Sequence, residues 1–513
     1  MTALSLPSVR DRRDAERFVL ELDRRLERLD RAILVADWNL FTGRSKAGSA
    51  PWQLRRARLL SDERILSWVR SALARPWPFL LRRRLELLER VLLDTQVEQH
   101  PEVVRLRGEL QEKVVAFRPL WKGKRVNRAV LYEVLQEGND ESERRAAYYA
   151  LQPLYRPLEE PLRELVRMRN ERARAAGFPS FAEMRLRFEG VSVSRLEELV
   201  QAVVEPARAH FRALRDHLFD STGQSSWHPW DVSYARAQRV PLPARLFPQE
   251  EMFPRIFRAI GQWGFRTDRM HFRVVFHDVP MGGMTLAPDP PRDIRIVVHP
   301  QGGFLPYLIL FHEVGHAVHS ASIRAPRHLL RWHENVPGFG GFHEGTGGLF
   351  EDIVSSAEWL ATQPGVGVER AERFARSARD SHLLDAAWHS CFLRIEQKLY
   401  QHPERDPMPE AVRFERRVYG YDEFPPLSFA ESFLIDSPIY SSNYLLAILF
   451  GEQLSRTMRE VCGEPYWPNR KVGPWLTRNW FAPGSLYDWV PRVKEITGRP
   501  FGAEAFRARF AGT

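Results

Sequence analysis

Apolar residues return every third or fourth position through residues 12–35 and 78–115, set among Arg and Glu, and this period predicts long amphipathic helices. Pro51, Pro76 and Pro101 cut the run into hairpin-like pairs, because a proline inside a helix removes a backbone hydrogen bond. The pattern continues over residues 140–215, where Gly177-Phe178-Pro179-Ser180 reads as one helix stop followed by the next helix start. Between Phe272 and His299 the texture changes to short β-type runs, HFRVVF, GGMTLAP and RIVVHP, punctuated by Gly282-Gly283 and by Pro288, Pro290 and Pro291, which predicts a small sheet. The apolar run LPYLILF then suits a buried helix over residues 305–321, and helices resume after residue 345 almost to the end. The fold class is therefore mainly α with a small β-sheet. The polar stretch STGQSSWHP at 221–229 divides an N-terminal helical part, 1–220, from a part carrying the candidate chemistry, 221–513, the two forming one continuous body.

Composition narrows the class without changing this picture. With 44% hydrophobic and 27% charged residues among 513, the chain can bury a sizeable core. Its two cysteines, Cys391 and Cys462, are too few for a disulfide framework or a cysteine metal site, which fits a reducing cytoplasm. The first residues meet charge before any apolar core of signal-peptide length, and no run approaches the ~18 apolar residues of a membrane span. A soluble, unsecreted protein without a membrane partner is expected. The net charge of +10, from 75 Lys+Arg against 65 Asp+Glu, is scattered along helices such as LLRRRLELLER. No zinc-finger spacing or aromatic RNA-binding signature accompanies it, so a nucleic-acid partner is not expected.

The chemistry sits in His312-Glu313-Val314-Gly315-His316. Residues four apart share a helix face, so His312 and His316 can present imidazole nitrogens to one metal ion. Glu313 lies beside that face, placed to accept a proton from a metal-activated water as general base. Two histidines and a glutamate are costly on an apolar helix unless they have such a partner. A catalytic zinc takes three protein ligands and keeps a fourth position open, so a third ligand is required. Glu334, in WHENVPG beside a Pro-Gly turn, competes for this place with Glu344, in FHEGTGGLFEDIVSSAEWL, which reads as a second helix despite its glycines; Glu344 is favoured. Glu351, two turns further on the same face, would then hydrogen-bond a ligating histidine, against the plainer reading of a surface ion pair.

These segments resemble a known family. HEVGHAVH is similar to the HExGHxxH segment of the thimet oligopeptidase and oligoendopeptidase F family, and Glu344 with Glu351 reproduces its glutamate-x6-glutamate spacing. GFHEGTGGLFED also resembles segments of the angiotensin-converting enzyme and carboxypeptidase Taq families. RNERARAAGFPSFAEMRL at 169–186, the WDxxY-like Trp230-Asp231-Val232-Ser233-Tyr234 and TGRPFGAEAF at 497–506 extend the likeness over roughly residues 140–513. The resemblance implies an elongated helical body split by a deep channel, with one Zn2+ per chain at its floor and a small sheet along one wall. It implies a zinc-dependent metalloendopeptidase acting on oligopeptides, the sheet offering an edge strand to the substrate backbone.

The same resemblance implies that Tyr440 and Tyr444, four apart in PIYSSNYLLAILFGEQL, supply phenols to the oxyanion of peptide hydrolysis; the plainer reading is two core tyrosines. The chain departs from the relatives in two places. They carry a histidine shortly before this pair, whereas AESFLIDSPIY has none, and His277 or His343 is the expected substitute for substrate binding. The spacing from His316 to Glu344 is also longer, and the Gly-rich VPGFGGF is expected to absorb the insertion. HEGTGG and YSSNYLL keep a zinc carboxypeptidase or dipeptidyl carboxypeptidase open as an alternative. The missing histidine keeps open a catalytically impaired peptide-binding protein.

Overall fold

The computed structural model describes residues 6–510 apart from 238–241, 280–281, 332–335 and 423–431. Helix α1 (Arg12–Phe41) begins where the Asp11 carboxylate accepts the Asp14 N–H, and it buries Phe18, Leu22 and Leu26 on one face. The apolar period over 78–115 is two helices, α2 (Phe79–Glu98) and α3 (Pro101–Ala116). Pro101 opens the second of them in its first turn, where a backbone N–H has no partner to lose. A two-residue ladder, β1 (Leu120–Trp121) against β2 (Lys124–Arg125), follows. Helix α4 (Glu159–Ala175) then leads through Gly177 to α5 (Phe181–Glu189), whose start Ser180 caps by accepting the Glu183 N–H at 3.2 Å. Gly190, at φ +80°, ends α5 in the left-handed conformation that only glycine adopts at little cost. Helix α6 (Val193–Thr222) follows.

The predicted sheet is present as β3 (Phe272–Phe276), β4 (Gly283–Asp289) and β5 (Asp293–Val298) in the order β3-β5-β4. β5 runs parallel to β3 and antiparallel to β4, with Phe272 opposite Ile294 and Gly283 opposite Val298. Its central place explains why Ile294 through Val298 are buried continuously instead of alternating. One face of the sheet meets α1 through Trp38, Val279, Leu286 and Val297.

Helices α7 (Phe304–Ser322), α8 (Gly340–Val354), α9 (Val368–Gln401) and α10 (Tyr440–Cys462) complete the frame of the site. α8 packs between α7 and α10, while α9 packs on α6 and α10. One apolar core runs from Ala15 to Phe510 and so spans both sides of residue 220. Within 221–229, Trp227 is fully buried and its indole N–H donates to the Tyr419 carbonyl at 2.9 Å. Among the described residues no helix is long and apolar enough to cross a membrane.

Candidate metal centre

Three glycines explain how α8 can be a helix and still bring its carboxylates to α7. A Cβ at Gly345 would stand 2.6 Å from a ring carbon of Phe450 on α10, and one at Gly347 would stand 2.5 Å from Cε1 of His312 on α7. On α7 itself, a Cβ at Gly315 would meet the Gly347 Cα at 3.1 Å. Glycine in a helix costs up to ~1 kcal/mol relative to alanine; here that cost permits three helices to close on one another. The start of α8 is fixed by Glu189 at the end of α5, whose carboxylate accepts the Gly340 N–H at 2.8 Å and the Gly341 N–H at 3.4 Å.

The result brings His312, His316 and Glu344 together, with their ligand atoms all within 4.8 Å of one another. His312 Nε2 lies 2.9 Å from His316 Nε2 and 3.4 Å from a Glu344 oxygen. Two nitrogens bound tetrahedrally to zinc at ~2.0–2.1 Å would stand roughly 3.3 Å apart, so the cluster has the dimensions and the N/N/O chemistry of a zinc site. Glu351 accepts from His312 Nδ1 at 2.6 Å, which places that proton on Nδ1 and turns Nε2 toward the cluster. His316 Nδ1 is buried and makes no hydrogen bond among the described residues, while its ring stacks on His343 with centroids 3.6 Å apart. Glu334 lies outside the described residues, and Glu344 is the carboxylate found in the cluster.

Electrostatics follow the burial and the carboxylates. Burial, reinforced by neighbouring histidines, holds His316 well below the usual imidazole range, which keeps it neutral as a ligand must be. Burial also opposes charge on His312, but Glu344 and Glu351 outweigh it and raise that imidazole. Glu344 stays below the usual carboxylate range despite burial because His312, His343 and Tyr440 favour its anion. Glu313 is raised by burial, a shift toward the operating range of a general base. Thr285 on β4 donates its hydroxyl to the Glu313 carbonyl at 2.7 Å, and a Cβ at Gly283 would come 3.1 Å from Glu313 Cγ. The edge strand β4 therefore runs directly beside the candidate base.

The tyrosines have different surroundings. Tyr440 donates its hydroxyl to Glu344 at 2.6 Å, whereas Tyr444 lines a cavity of about 180 Å³ together with His312 and Glu344. A second cavity of about 740 Å³ shares Asp352, His382 and Glu452 with the first as a common wall. Burial opposes charge on His382, yet Glu452 and Asp352 hold its imidazole up to about 9.

Neither expected substitute histidine lines these cavities. His277 follows β3 with its ring against Gly43, where an added Cβ would meet Nε2 at 2.9 Å, and His343 is buried against His316. A histidine the sequence did not single out, His389 on α9, does line the smaller cavity and stacks on Tyr444 at 4.8 Å with planes 20° apart. Ile439, immediately before Tyr440, has φ +64°, a conformation strained for a β-branched residue. Its N–H donates to the buried Glu396, which fixes the turn that delivers Tyr440 to Glu344.

Residues 134–254 match the model of peptidase family M3. The likeness covers about a quarter of the chain. It ends well before His312, so the family match and the geometry around HEVGH are separate observations. No curated protein matches the chain.

Proposed function

We propose that this chain is a zinc-dependent oligopeptidase that hydrolyses peptide bonds in short, unfolded peptides. The observation that carries the reading is the convergence of His312, His316 and Glu344 beside Glu313, with His312 and Glu344 at the wall of a cavity. M3 peptidases are typically zinc-dependent, and the His/His/Glu set suits one zinc per chain. Bound there, zinc would supply Lewis acidity, polarising a carbonyl and lowering the pKa of water to ~7.

The protein groups divide the remaining work. The Glu313 carboxylate accepts a proton from the attacking water and returns it to the leaving amine. Glu351 orients His312, and Tyr440 orients Glu344 through its hydroxyl. Tyr444, kept protonated by burial and by the surrounding carboxylates, donates to the oxyanion as charge develops. The substrate backbone adds as a strand along β4, which brings the scissile bond past Glu313. The cavity of about 180 Å³ beside His312 and Glu344 has room for a short segment of peptide. A cytoplasmic setting accords with the two unpaired, buried cysteines.

The test is a metal assay with a digest. The purified protein should carry about one zinc per chain, and a long peptide read by mass spectrometry should yield internal fragments. A C-terminal ladder would replace the endopeptidase reading with a carboxypeptidase one, or with a dipeptidyl carboxypeptidase if the steps are two residues. Zinc binding without cleavage of any peptide in a diverse library would leave only peptide binding.

A further inference from the structure

His389 belongs to no part of the machinery above, yet it faces the same space. It sits in the middle of α9 and lines the smaller cavity with His312, Glu344 and Tyr444. Its ring is held from two sides: Tyr444 stacks on its face, and Trp388 meets it at 79° with centroids 4.8 Å apart. Its Nδ1 is buried and makes no hydrogen bond among the described residues. Its place in the cavity wall, beside His312 and Glu344, brings a polar ring to the space that a bound peptide would fill.

We propose that His389 is a substrate-contacting residue, whose imidazole, fixed against Tyr444, hydrogen-bonds the backbone of the peptide bound beside the metal ligands. The inference rests on the peptidase reading and adds a binding group to it. Burial lowers this imidazole to about 4, so it is neutral at physiological pH and offers one donor and one acceptor nitrogen. A peptide backbone presents the matching carbonyl and N–H. A neutral group also serves substrates irrespective of their side-chain charge, as expected for an enzyme that reads backbone. The stack on Tyr444 adds a consequence: a peptide engaged by His389 is held next to the hydroxyl assigned to the oxyanion.

The experiment compares H389F, which keeps an aromatic ring against Tyr444 but removes both nitrogens, with H389Q, which keeps a donor and an acceptor. Zinc content, thermal midpoint, kcat and KM on a quenched fluorescent peptide, and the affinity of a hydroxamate-capped tripeptide are measured for each. H389F should keep its zinc and its midpoint yet lose roughly 10- to 100-fold in kcat/KM and in hydroxamate affinity, as for one lost hydrogen bond in a dry site, with H389Q recovering part of both. If H389F is destabilised, H389A replaces it, and added imidazole should restore turnover by refilling the site. H389F acting and binding like wild type, H389Q no better than H389F, or no rescue of H389A by imidazole would each overturn the role. Failure of the wild-type zinc protein to cleave any peptide would instead remove the peptidase reading, and the hydroxamate affinities would still decide whether His389 contacts a ligand.

Discussion

Replacing Gly347 with alanine should loosen the metal site while leaving the fold intact. The added Cβ would stand 2.5, 2.6 and 2.7 Å from Cε1, Nδ1 and Nε2 of His312, where ordinary contact begins at 3.4 Å. The ring must therefore retreat by roughly 0.9 Å, several times the ~0.2 Å tolerance of a metal–ligand bond. The same retreat stretches the 2.6 Å hydrogen bond from His312 to Glu351. Overpacking of this kind costs ~1–3 kcal/mol, and at ~1.4 kcal/mol per tenfold it lowers zinc affinity roughly 5- to 150-fold. Gly348 is the internal control: it is the next residue of the same helix, and a Cβ there meets nothing within 4 Å. G348A should keep zinc affinity and gain up to ~1 kcal/mol of stability from helix propensity. Zinc affinity is read by competition with a chromophoric chelator and stability by urea unfolding. G347A binding zinc as tightly as wild type would refute the close packing of α8 on His312.

Three further outcomes follow from single contacts. E351Q should weaken zinc binding ~10- to 100-fold in the chelator assay, because His312 loses the carboxylate that fixes its tautomer. The two tyrosines should separate: Y444F should lower kcat ~100- to 1,000-fold with zinc retained, as for an oxyanion donor, whereas Y440F should act mainly on zinc affinity through Glu344. Burial raises Glu396 from the ordinary carboxylate range to about 8, so between these pH values the folded state holds a proton that the unfolded state has released. Glu396 should then contribute a fall in stability as pH rises through that window, by up to ~1.4 kcal/mol per pH unit, and E396Q should make the loss between pH 5.5 and 7.5 smaller than in wild type in urea titrations, the buried Glu415, also raised to about 8, supplying the remainder.

Much of the fold was legible because its strongest signals are local. The apolar run before His312 is dense enough to mark a buried helix, and the Gly and Pro clusters around 282 and 290 bracket the strands cleanly. His312 and His316 were legible as a pair because helical spacing puts them on one face, and Glu344 was reached through a catalytic zinc's need for a third ligand and through the family resemblance. The glycines of α8 argued against a helix locally, and their reason emerges only when α7 and α10 press on Gly347 and Gly345. Glu189, which caps α8 from 151 residues away, leaves no local trace. His389 was missed for the same reason: it lies on a long amphipathic helix among ordinary surface and core residues, and its neighbours Tyr444 and Glu344 come from two other helices. Ile439 could not be flagged either, since a left-handed isoleucine is held by Glu396 from α9 and not by its own sequence.

The central claim is that Glu313 is the base beside a zinc held by His312, His316 and Glu344. The direct measurement is peptide hydrolysis by zinc-loaded wild type and E313Q side by side, at equal zinc content. The account predicts that E313Q keeps its zinc and turns over peptide at least ~100-fold more slowly. E313Q cleaving at the wild-type rate with the same bound zinc would contradict it.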